Sequence, residues 1–139
     1  MEVMRPTLTT CLILLALACT NPYDFEPGDP TKADPPPPPE LLQPQNGWQS
    51  DLYLYPQQVN LGWQALPGAL FYQIEVYRDS LLRTQYLVYA NQRATQPSGS
   101  AAFSTHGWYF WRVRAASRNW NDYTDWSQPF RFGLPNPAR

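Results

Sequence analysis

The sequence predicts an all-β protein. An antiparallel two-sheet sandwich spans residues 41–139, preceded by a signal peptide and a disordered Pro-rich linker. Three observations carry this. Apolar and polar side chains alternate with period two through several stretches of the last hundred residues, the mark of half-buried strands. Aromatic and β-branched residues fill those stretches, and Asn46-Gly47, Pro67-Gly68, Pro97-Ser98-Gly99 and Asn121-Asp122 divide them. Both cysteines, Cys11 and Cys19, precede residue 20, so the folded part has neither a disulfide framework nor a thiolate metal site and must be stabilised by packing.

The chain begins MEVMRPTLTTCLILLALAC. Arg5 and the amino terminus make a weakly basic start. Leu12 to Ala18 form an apolar run too short to span a bilayer, which needs about 20 residues, but suited to a signal-peptide core. The run closes on Leu15-Ala16-Leu17-Ala18-Cys19. Small residues before a cysteine at the end of such a run resemble the lipobox of bacterial lipoproteins. That resemblance implies cleavage after residue 18 and lipid on Cys19, which becomes the first residue of the mature chain. Thr20 after the cysteine resembles lipoproteins sent to an outer membrane. The alternative is an ordinary secretory signal with an incidental cysteine.

Residues 20–40 read TNPYDFEPGDPTKADPPPPPE, with eight prolines in 21 residues. Proline has no amide hydrogen for a helix or ladder, and the few apolar groups cannot offset ordering entropy, so residues 19–40 are expected to be a disordered linker. Pro35 to Pro39 should form polyproline II, and a fully extended segment would reach about 65 Å. Its expected role is spacing. The segment has one base and five acids, while residues 41–139 have eight bases and five acids. An acidic tether therefore carries a mildly basic head. The whole chain is near neutral, with 10 basic and 11 acidic residues, which points away from nucleic acid as a partner.

In the head, Val59, Leu61 and Trp63 face one way and Asn60 and Gly62 the other. Tyr72, Ile74 and Val76 alternate with Gln73, Glu75 and Tyr77. Tyr109, Trp111, Val113 and Ala115 alternate with Phe110, Arg112 and Arg114. Phe130 and Phe132 flank Arg131. Leu82, Tyr86 and Tyr89 have helical spacing, but the Tyr, Val and Thr of 84–89 favour a strand, and a strand is expected there.

The blocks Val59-Asn60-Leu61-Gly62-Trp63, Pro67-Gly68-Ala69 with Tyr72-Gln73-Ile74-Glu75-Val76, Gly107-Trp108-Tyr109-Phe110-Trp111-Arg112-Val113-Arg114-Ala115 and Asp125-Trp126-Ser127 resemble strands B, C, F and the start of G of a bacterial fibronectin type III domain, an immunoglobulin-like β-sandwich. The resemblance implies that Trp63 is the core tryptophan of strand B. It implies that Tyr109 pins the E–F corner through its hydroxyl. The family pattern is weak over residues 79–105.

No catalytic constellation is visible. His106 is the only histidine and falls in a loop; Asp122 and Asp125 read as turn chemistry; no cofactor or metal ligand set is apparent. The chain is expected to be non-enzymatic. The informative excess is aromatic, 15% of the chain. Trp108, Trp120 and Tyr123 are candidates for contact with a ligand or partner, Trp120 and Tyr123 through a loop. Arg112, Arg114 and Arg131 should form an outward row near Trp126, similar to the Arg–Trp ladder of cytokine-receptor domains. Arg112 and Arg114 join the candidate contacts. The expected function is a lipid-anchored envelope protein, at a cell or outer membrane, binding another envelope protein. A glycan ligand taken by exposed aromatics, or a passive structural subunit, are the alternatives.

Overall fold

The computed structural model describes residues 24–138. The expected signal peptide and the lipidated Cys19 lie outside the described residues. Eight strands follow in order: β1 (Leu41–Gln43), β2 (Trp48–Gln49), β3 (Gln57–Trp63), β4 (Phe71–Tyr77), β5 (Leu87–Ala94), β6 (Ser98–Phe103), β7 (Gly107–Ala116) and β8 (Phe130–Leu134). They form a three-stranded sheet ordered β1-β3-β6 and a five-stranded sheet ordered β2-β8-β7-β4-β5. With β5 hydrogen-bonded beside β4 rather than in the smaller sheet, this is the strand order of a fibronectin type III-like sandwich, as the resemblance implied.

Alternation explains the layers. β7 turns Tyr109, Trp111, Val113 and Ala115 inward, all essentially inaccessible, and leaves Trp108, Phe110, Arg112 and Arg114 half-buried on the outer face. From the facing sheet come Val59, Leu61 and Trp63 of β3 and Phe103 of β6. The ring of Tyr109 stacks on Phe132 at 5.2 Å, and Phe103 closes on Tyr109 at 4.7 Å. Trp63 meets Tyr72 edge-on at 5.4 Å, and the Tyr72 hydroxyl accepts the Leu66 amide at 3.0 Å. At Gly99 the sheets approach closely: a Cβ there would lie 2.9 Å from Ile74 Cδ1.

The corner tyrosine also sits where the resemblance placed it. Tyr109 Oη donates to the Thr105 carbonyl at 2.6 Å. Gly107, with φ of 116°, makes the turn into β7 that lets the chain double back beneath that ring.

The structure departs from the sequence reading at three places. The strand expected over 84–89 begins only at Leu87; Thr84–Tyr86 form a single 3-10 turn, after the chain has turned at Leu82 with φ of 53°. Asp125-Trp126-Ser127 does not start a regular strand, because hydroxyls stand in for the ladder. Val113 N–H donates to Ser127 Oγ at 3.0 Å, and Ala115 N–H to Thr124 Oγ1 at 3.0 Å. The amides of Ser127 and Thr124 return bonds to the Val113 and Ala115 carbonyls. The third departure is the linker. Residues 24–40 do not stand free of the domain but lie along it. Gly28 N–H donates to the Asn121 carbonyl at 2.6 Å, and Asn121 N–H to the Ala33 carbonyl at 2.8 Å. Pro39 is fully buried, and the Gln64 amide donates to the Glu40 carbonyl at 2.8 Å. Composition argued for a free chain; hydrogen bonds to a distant loop and an inserted aromatic override it.

Candidate functional site

The outer face of the large sheet is built by cross-strand pairing. In the β4–β7 register Gln73 lies opposite Arg114, Glu75 opposite Arg112 and Tyr77 opposite Phe110. Opposite partners on one face are close enough to bond. Arg112 donates to Glu75 Oε1 from Nε at 3.0 Å and from Nη2 at 2.8 Å, and Arg114 Nε donates to Gln73 Oε1 at 2.8 Å. Burial, with the Glu75 carboxylate beside it, pushes the Tyr77 phenol above its ordinary pKa; the Arg112 guanidinium opposes this in part.

The irregular start to the last strand completes the face. With Thr124 and Ser127 holding β7 through their hydroxyls, Trp126 between them reaches across the arginines. The Arg112 guanidinium carbon lies 4.2 Å from the centroid of the Trp126 ring system, and that of Arg114 lies 4.5 Å away. Arg114 also covers Tyr123 at 3.8 Å, and Arg131 covers Trp108 at 4.4 Å. The predicted row of arginines near Trp126 is therefore present. Each contact of this kind contributes about 0.5–1 kcal/mol when exposed. Arg112 and Arg114 donate their N–H groups to Glu75 and Gln73 and lie against the Trp126 ring, so this arrangement is first a means of holding the outer face together.

The stack continues through residues that no sequence pattern marks. Tyr123 meets Phe25 at 4.6 Å, Phe25 meets Phe71 at 6.1 Å, and Arg93 covers Phe71 at 4.6 Å. Arg93 in turn reaches Asp24 at 3.8 Å. Phe25, from the segment expected to be linker, is thus the middle of three successive rings that Arg114 and Arg93 cap at either end. Asn121 Nδ2 donates to Asp34 Oδ1 at 2.7 Å, a second tie between the same segment and the β7–β8 loop.

Of the expected contact residues, Trp120 is not available at the surface. It is 8% exposed and belongs to the hydrophobic core, bridged to Ala33 by parallel backbone pairing. The N-terminal segment passes over the very loop that was expected to present it. Tyr123 is half-buried between Arg114 and Phe25, and Trp108 is half-buried beneath Arg131. Trp108, Arg112, Arg114 and Tyr123 share one face; Trp120 lies apart from it, in the core. His106 is exposed and engaged only through its carbonyl, which accepts Arg78 Nη2 at 2.9 Å.

The solvent-facing apolar side chains are elsewhere. Trp48, Leu52, Tyr53 and Leu54 are exposed along the crossover from β2 to β3, Leu54 by 82%. Trp48 also lines a cleft of about 330 Å³ with Gln43, Pro44, Gln58, Val59 and Asn60. Leu52 and Leu54 carried no sequence signal, because the short unbroken apolar run 52–55 shows no polar alternation by which to tell an exposed face from a buried one. Among the described residues no cluster of three or more His, Cys, Asp or Glu is disposed to hold a metal ion.

No protein-family model matches the chain. No curated protein matches it. Solved structures similar to it include two domains of this kind. One is a Fn3-like protein from Clostridium thermocellum, 21% identical, covering 72% of this chain and 94% of its own, with a TM-score of 0.48. The other is the fn3 domain of human collagen alpha-1(XX) chain, 18% identical, covering 77% of this chain and 93% of its own, also at 0.48. The fold assignment rests on the strand order, the corner tyrosine and the ladder rather than on these scores: the described part of the chain is a fibronectin type III-like β-sandwich.

Proposed function

We propose that the chain is a non-enzymatic, lipid-anchored envelope protein whose sandwich binds another protein. Cys19 is the residue that would carry the lipid, on the strength of the lipobox-like sequence before it. The observation that carries the binding role is the run Leu52-Tyr53-Leu54 beside Trp48. These four large apolar side chains face solvent within seven residues of one another. Exposed apolar groups gathered in this way mark interaction surfaces more often than single scattered ones. The arginine stack, by contrast, is internally satisfied and serves as scaffold.

The test is in-cell photo-crosslinking from a probe at Tyr53, with a second probe at Gln92 on the far sheet edge. A binding module gives one dominant protein adduct from position 53, absent from position 92 and lost with Leu54→Glu. An anchored, folded protein that yields no adduct at 53 would sink the reading.

A glycan ligand is favoured by one observation of its own. The Trp48 indole borders a cleft whose other polar groups are the amides of Gln43, Gln58 and Asn60. A flat aromatic face beside neutral amides suits the apolar and hydroxyl faces of an uncharged sugar. Titration with neutral oligosaccharides, following the Trp48 fluorescence against Trp48→Ala, separates this from protein binding.

A further inference from the structure

The N-terminal segment determines which end of the sandwich lies nearest the anchor. Phe71 pairs with Ala116 at one end of the large sheet, and Gly107 with Leu134 at the other. The first end carries the β3–β4 and β7–β8 loops, and residues 24–34 dock there through Phe25, Gly28, Ala33 and Asp34. The second end carries residues 50–56, the β4–β5 turn and the C-terminal residues, with Tyr55 Oη donating to the Pro135 carbonyl. Asp24 follows Cys19 by five positions, so that step spans at most about 18 Å when fully extended. The ten residues of β7 make the sandwich about 33 Å long. The Pro35–Pro39 run adds no reach, since it lies between a docked Asp34 and a buried Pro39.

We propose that the segment 24–34 is an orienting strap, which holds the head close to the bilayer with its β3–β4/β7–β8 end toward the lipid headgroups and its Leu52–Leu54 end away. This rests on the anchor at Cys19 put forward above. The chemistry of the facing end suits a headgroup layer rather than an acyl core. Among the described residues, none of the exposed large apolar side chains falls in 24–34, 64–70 or 117–123. That end carries five acidic residues, Asp24 and Asp34 among them, against Lys32 and Arg118, a net negative charge that an anionic surface would repel. The lipid partner is therefore a zwitterionic surface that is approached without insertion. The apolar run at 52–54 is left pointing outward, where a protein partner can reach it.

The experiment uses the full lipidated chain in phosphatidylcholine vesicles containing an acceptor-labelled lipid. A donor dye is placed at Gln64→Cys or, separately, at Tyr53→Cys. Flotation with the vesicles, and its loss in Cys19→Ala, reads the anchor alone. Energy transfer reads the orientation: strong from position 64, weak from position 53, corresponding to depths about 30 Å apart. Phe25→Ala combined with Asn121→Ala should narrow that difference by freeing the strap. Flotation with equal transfer from both sites overturns the orientation and leaves the anchor standing. Failure to float overturns the anchor and the orientation with it.

Discussion

Tyr109 ties the turn before β7 to the core through one hydroxyl, donated to a carbonyl four residues earlier at 2.6 Å. Tyr109→Phe keeps the stacked ring and loses that bond. It should destabilise the domain by about 1–2 kcal/mol, seen as a lower denaturant midpoint with an unchanged slope. Trp126 is shared by two guanidinium groups, so Trp126→Ala removes both stacks together, a loss of about 1–2 kcal/mol. Once Trp126 is gone, Arg114→Ala should cost measurably less than in the parent; a double-mutant cycle on unfolding free energy checks this. Asp29 gives a pH signature. Its carboxylate accepts the Thr31 hydroxyl and the Thr31 amide, which hold its pKa below the ordinary value. A group depressed in the folded state stabilises above its unfolded pKa, near 3.9, and loses that effect as pH falls through the folded value. The Asp29–Thr31 turn should therefore weaken on acidification below about pH 4, and Asp29→Asn should remove that component of the pH profile of stability. At this scale the sequence was legible where side chains sit in regular strands. Trp63, Tyr109, Arg112 and Arg114 fall where period two puts them. Trp120 was not legible, because a loop residue takes its burial from whatever crosses it, and what crosses it is Ala33.

Among the elements, the strap is the one that composition disguised. Proline-rich, acidic and poor in apolar groups, residues 24–40 have no periodic pattern by which to read a docking face. The information that Phe25 belongs to a stack resides in Tyr123 and Phe71, which are remote in sequence. A domain begun at residue 41, where the sequence placed the boundary, should therefore be less stable than one begun at residue 24. Removing the strap exposes Phe71, Tyr123 and Trp120 together. The expected loss is about 2–3 kcal/mol from apolar burial and hydrogen bonds, with a red shift of tryptophan emission. Equal melting temperatures for the two lengths would mean that the strap adds nothing to the fold. The β5 boundary was obscured for a different reason: Leu82, Tyr86 and Tyr89 lie across a turn, where neither helical nor strand period applies. The paired hydroxyls of Thr124 and Ser127 were invisible as pairing, since pattern reading scores side chains by hydropathy and not by whether they can replace a carbonyl.

For the molecule as a whole, fold class, the two-layer arrangement and the arginine row follow from the pattern in residues 57–134. The placement of the head relative to the proposed anchor does not. A linker read as free gives a head on a long lead, whereas a docked strap gives a head with a defined top and bottom. The proposed contact residues shift accordingly, from the β7–β8 loop to the opposite end. Leu54→Glu should abolish partner capture from position 53 while leaving the unfolding midpoint within about 0.5 kcal/mol of the parent, because Leu54 is 82% exposed.

The strap joins the two extremes of the chain: Asn121 and Asp34 are 87 residues apart in sequence and share a hydrogen bond. A polypeptide emerging from its N-terminus must therefore extend through the whole of β7 before Asn121 and Tyr123 are there to complete the docking that Phe71 and Arg93 can begin. Closure of such a long loop is a late event, since its entropic cost is met only after the sheets have formed. Residues 24–34 thus stay accessible while the sheets assemble, and are drawn fully onto the body only when the β7–β8 loop is in place.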